Sequence, residues 1–204
     1  MTTAEEIRAF KWMKISTQKH QMTVLREDGL YRHVRFAQPG TGIWRFDLVT
    51  WPGHLVVTGD IEDFHFARVP DMFEFFRSQP GYINPHYWSE KLVGPQRYES
   101  FSTEVLKQRV YQDFREWCGW KEGPHRPLWQ AIREEVLHCL DECDETIARQ
   151  RLSRFSFGGF TFGDSWEWKL REYDWHFLVS LHSIVWGINE YDKAARHVVG
   201  VSGE

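Results

Sequence analysis

A chain of 204 residues is long enough to bury a core of its own, and 29 acidic against 25 basic residues, a net charge of −4, argue against general nucleic-acid affinity and against the acidic surface of a DNA mimic. Cys118, Cys139 and Cys143 are an odd set that reads as reduced thiols. The opening MTTAEEIRAF lacks the basic-then-apolar layout of a signal peptide, and no run approaches the roughly 20 apolar residues of a membrane span, so a soluble intracellular protein with no membrane association is expected.

The elements follow in chain order. From His20 to Arg68 the pattern is period-2 alternation broken by turn residues, which an antiparallel meander of four or five strands requires. Gln21–Arg26 ends at Asp28-Gly29, a hairpin signal, and Leu30–Ala37 ends at Gln38-Pro39-Gly40. Ile43–Trp51 is the clearest strand, with Trp44, Phe46 and Leu48 expected on one face and Arg45 and Asp47 on the other. Pro52-Gly53 leads into His54–Thr58, and Phe64–Arg68 closes the sheet. A short helix is expected after Pro70, an irregular connection with at most one helical turn over 79–98, and helices over Thr103–Trp117 (stopped by Gly119), from Pro127, over Asp144–Arg154 and over Tyr173–Tyr191. Phe177, Leu181, Ile184, Val185 and Ile188 make the last helix apolar enough to require a central position. Strands before helices give an α+β fold, read as a single domain with its sheet at about 20–68 and a helical layer of about four helices at about 70–192.

The strongest compositional signal is aromatic: 15 Phe, 11 Trp and 7 Tyr. A chain of this length buries only about 70% of its unfolded surface. Some of these rings are therefore expected at half-exposed positions, where binding hot spots are built.

Candidate chemistry is sparse. His54, Asp60 and His65 combine imidazoles and a carboxylate that can ligate a divalent metal, although no HExxH-type spacing supports them. Cys139 and Cys143 lie one helical turn apart, but a structural zinc site lacks its other ligands, and buried structural cysteines are the better reading. The glycine-rich run 157–163 reads as a bent strand pair or turn, and the acids around 134–145 followed by Arg149, Arg151 and Arg154 as solvated helix faces with local ion pairs. Tyr31, Arg35 and Arg45 on the sheet, with Tyr87 and Trp88 in the loop, are the candidate partner-binding residues.

The runs IWRFDLVTWPGHLVVTGDIEDFHFARVPDMFEFF, INPHYWSEKL and SLHSIVWGINEYD resemble uncharacterised proteins encoded by tailed phages and prophages, over about Lys11 to Asp192. The resemblance carries no catalytic residue. It implies a small accessory product made in the host bacterial cytoplasm, of the kind that disarms host defences. A non-catalytic protein that binds a host or phage protein, without a cofactor, is therefore the first expectation. A metal-dependent hydrolase or nuclease is the alternative, and a structural virion component comes third.

Overall fold

The computed structural model describes residues 3–120, 125–138 and 144–201, the last five of these by backbone alone. The chain forms two compact units, one from residues 1–98 with 173–204 and one from residues 99–172.

The first unit is α+β. Strands β1 (Gln21–Asp28), β2 (Tyr31–Ala37), β3 (Phe46–Trp51), β4 (His54–Gly59) and β5 (Phe64–Ala67) form one antiparallel sheet in sequence order. The two tight reversals fall where Gly29 (φ 58°) and Gly53 (φ 84°) provide the left-handed backbone that a two-residue hairpin loop needs. Alternation then sorts the side chains. Val34, Phe36, Phe46, Leu48, Leu55, Val57, Phe64 and Phe66 share one fully covered face, while His33, Arg35, Asp47, His54 and His65 lie on the other.

Four helices share the core of that covered face: α1 (Ala4–Ser16), α2 (Met72–Phe76), α3 (Pro85–Ser89) and α7 (Trp175–Val201). Between Phe177 and Val185 every residue of α7 is buried, so this segment is enclosed on all sides. Close approach is set at Gly187, where a Cβ would stand 2.9 Å from both Leu48 and Phe36 of the sheet. Helix α1, which lies ahead of the alternating segment, is capped by Thr3 and buries Ala9 and Met13.

The second unit has its own core. Helices α4 (Thr103–Trp120), α5 (Arg126–Glu135) and α6 (Glu145–Arg154) enclose Leu106, Val110, Ile132, Val136, Ala148 and Leu152 together with Phe155, Phe160, Phe162 and Trp168. The unit's two ends pair as β6 (Glu99–Phe101) and β7 (Arg171–Tyr173). Gly119 lies inside α4 rather than ending it. The glycine-rich run is a turn, with Phe157 and Phe160 bridged around Gly158 and Gly159. Cys139 and Cys143 fall outside the described residues.

One strand expectation is overturned. Strand β3 begins at Phe46, and Trp44 sits before it in a left-handed conformation (φ 57°), 37% exposed. The Asp60 carboxylate accepts the Trp44 N–H at 2.7 Å, and the Trp44 ring packs edge-on against Trp12 at 4.6 Å, so the pattern of alternation outruns the ladder. Trp44→Ala is expected to cost about 1 kcal/mol, the worth of one aromatic pair, against about 3–5 kcal/mol for Phe36→Ala, as read by urea unfolding.

A buried imidazole makes this unit sensitive to acid. Nε2 of His182, in α7, donates to the Glu6 carbonyl of α1 at 3.1 Å, and its Nδ1 has no partner among the described residues. Protonation would place a second N–H where no described residue accepts it, and burial lowers the His182 pKa to about 4. In the unfolded chain the same group titrates near 6.5, so the unfolded state takes up the proton first. Its contribution is complete above that value and declines as pH falls towards 4. Unfolding free energy is expected to drop by about 2 kcal/mol from pH 7 to pH 5 on this account, and His182→Leu should remove that part of the slope in urea titrations at the two pH values.

Candidate functional site

The open face of the meander gathers most of the residues singled out in the sequence. Pairing of β2 with β3 sets Arg35 opposite Asp47 and His33 beside it. Arg35 donates to Asp47 through Nε (2.9 Å) and Nη2 (2.8 Å), and His33 Nε2 lies 2.7 Å from the same carboxylate. Burial alone would raise the Asp47 pKa, but the hydrogen bonds from Arg35 and then His33 outweigh it and hold the group below the ordinary carboxylate range. An ionised carboxylate only accepts, so His33 donates through Nε2. Arg35 therefore spends its paired edge within the sheet, which reduces its value as a free contact for a partner.

His54 and His65 meet across β4 and β5, with Nδ1 and Nε2 3.0 Å apart and the Trp51 ring stacked on His54 at 5.0 Å. Burial first, and the neighbouring His54 second, lower the His65 pKa. Asp60 does not join them, since its carboxylate is bonded to the Trp44 N–H at the far end of β4. The set His54, Asp60 and His65 is thus not assembled into a metal site.

The remaining partner candidates are spread over several elements. Tyr31 is exposed with the Arg26 guanidinium 5.8 Å over its ring. Arg45 is half-buried just ahead of β3, and its carbonyl accepts the Asp60 N–H at 2.8 Å. Tyr87 is exposed on α3 beneath Lys91, 4.5 Å away. Trp88 does not fit the role. Asn84 caps the single turn of α3, which directs Trp88 inward against Phe76 at 4.8 Å with 4% of its surface exposed.

The feature that sequence reasoning missed lies in the second unit. Asp164, in a left-handed conformation (φ 50°), opens a single 3-10 turn, Ser165–Glu167. Ser165 is buried, Trp168 enters the core, and Trp166 between them is 70% exposed. From α6, Arg149 donates to three carbonyls of this turn: Ser165 (3.2 Å), Trp166 (3.2 Å) and Trp168 (3.0 Å). Glu145 holds Arg149 at 2.8 Å on one oxygen and Arg171 at 2.7 Å on the other. Burial opposes the Glu145 charge, but the two guanidinium groups outweigh it, and the pKa is lowered. Asp144 caps α6 by accepting the Ile147 N–H at 2.8 Å, placing Glu145 in the first turn, where the helix dipole favours an acid. A readable trace existed in the sequence: Glu145 and Arg149 are spaced four apart on one helix face. Arg151 also donates to backbone, to the His138 carbonyl at 2.5 Å, while Arg149 binds both backbone and the local acid Glu145.

Arg149→Ala is expected to free the Trp166 turn, because it removes three charge-assisted bonds, of a kind that each contribute about 1.5–3 kcal/mol net of water. Amide exchange over residues 164–168 should accelerate at least about tenfold, while amides around Leu106 and Val110 in α4 stay protected.

No family model, curated protein or solved structure matches the chain.

Proposed function

We propose that the protein acts by binding another protein, with Trp166 as its central contact and no chemistry of its own. The observation that carries this reading is the Trp166 turn. A large amphipathic ring is held in water on backbone fixed by three bonds from Arg149. An exposed Trp on a fixed turn offers an interface about 150–250 Å² of surface in one side chain. Its backbone is already ordered, so association avoids much of the cost of ordering a loop. Trp and Arg are also enriched among hot spots that each cost at least about 2 kcal/mol when truncated.

The resemblance to tailed-phage and prophage proteins makes a protein of the host bacterium the partner to look for first, and a defence component is the class in keeping with that origin. Tyr31 and Tyr87 are exposed rings of the first unit, and each is tested on its own.

Affinity capture from a bacterial lysate, with the wild-type protein beside Trp166→Ala, tests the reading. The variant is expected to keep its melting temperature, because the ring packs little, and to lose a stoichiometric partner by about 30-fold or more in affinity. A partner retained equally by Trp166→Ala, with Tyr31→Ala and Tyr87→Ala also silent, would overturn it.

A further inference from the structure

The turn between β4 and β5 carries three acids, and the structure uses two of them for itself. Asp60 accepts the Trp44 N–H, and Asp63 accepts the Gly59 N–H at 3.3 Å. Glu62 is the third, and among the described residues no Lys or Arg pairs with it. Its carboxylate meets Asp174 and His176, from the start of α7, and one ligand atom from each of the three lies within 4.8 Å of the others. Asp174 is the cap of α7, its Oδ1 accepting the His176 N–H at 2.9 Å.

We propose that Glu62, Asp174 and His176 form a site for a divalent transition-metal ion, zinc ahead of manganese. The inference is independent of the protein-binding role of Trp166. Charge supports it. The two carboxylates contribute −2, while the end of the helix offers only about +0.5, so the cluster is negative overall unless a proton or a metal joins it. Geometry supports it too. His176 Nδ1 and Asp174 Oδ1 are 3.5 Å apart, and two ligands with bonds of about 2.1 Å at that separation subtend about 110°, the tetrahedral value. Two oxygens and one imidazole suit zinc better than calcium, which takes six or more oxygens. Three protein ligands leave a fourth position for water, as in an open zinc site.

The competing explanation is an exposed cluster of side chains that holds no ion. Calorimetric titration of the chelator-treated full chain with zinc chloride, and then with manganese chloride, separates the two. Wild type is expected to bind about one zinc ion per chain, more tightly than manganese. Glu62→Gln and His176→Ala should each weaken zinc at least about tenfold, with melting curves of the metal-free proteins unchanged because both side chains are exposed. Asp174 is left intact because it caps the helix. His54→Ala serves as the control and should bind zinc as wild type does. Absence of saturable binding, binding unaltered by both Glu62→Gln and His176→Ala, or binding lost in His54→Ala would each overturn the assignment, the last by moving the ion to the His54 and His65 pair.

Discussion

Helix α7 cannot face water on any side between Phe177 and Val185, and much of the first unit is arranged to enclose it. A helix buried all round needs cover from more than one element, because a single sheet face covers only one side of a helical cylinder. Sheet residues Phe36 and Leu48 come up against it at Gly187, α1 brings Ala9 and Met13, and α2 brings Phe73 and Phe76. Burying this helix also carries a polar cost. The Ser180 and Ser183 hydroxyls and Nδ1 of His182 lie in the core without partners among the described residues, and each unmade bond costs roughly 1–3 kcal/mol. The apolar area around them offsets that at roughly 25 cal/mol per Å².

The same helix links packing to the surface chemistry. Its first turn is fixed by the Asp174 cap, so the burial that holds α7 also fixes where Asp174 and His176 stand relative to the β4–β5 turn. On the opposite side of the sheet, pairing register alone sets Arg35 on Asp47 and His54 near His65. These groups occupy positions that ladder geometry would give any residues there, and their mutual bonds satisfy them. They read as the polar face of an ordinary sheet, so proximity among titratable groups is weaker evidence here than a carboxylate that no Lys or Arg pairs with among the described residues.

How much of this was legible depended on whether the deciding interaction was local. The meander was readable because Asp28-Gly29 and Pro52-Gly53 fix reversals within two residues, and alternation then dictates the faces. The central place of the last helix followed from its composition. Trp44 was misplaced because Ile43–Trp51 alternates without a break, while the interaction that keeps it off the ladder comes from Asp60, sixteen residues away. Trp88 was misplaced because a turn as short as Pro85–Ser89 has no periodicity to read, and its burial depends on Phe76. The β6–β7 pair joins segments about 70 residues apart, which no local window can see.

The aromatic content deserves a different weight once the rings are placed. Phe36, Phe46, Phe64, Phe66, Phe73, Phe76, Phe160 and Phe177 are fully buried, so a large part of the excess builds two cores and says nothing about partners. A count of aromatic residues therefore cannot separate a binding protein from a well-packed one. Position can. Over the four residues 165–168 the chain buries Ser165, exposes Trp166 and Glu167 and buries Trp168, and it uses a partly buried arginine to fix that order. Folding alone gains nothing from facing one tryptophan outward while another, two residues on, is buried. The arrangement is intelligible if the ring acquires its contacts after folding, from another molecule.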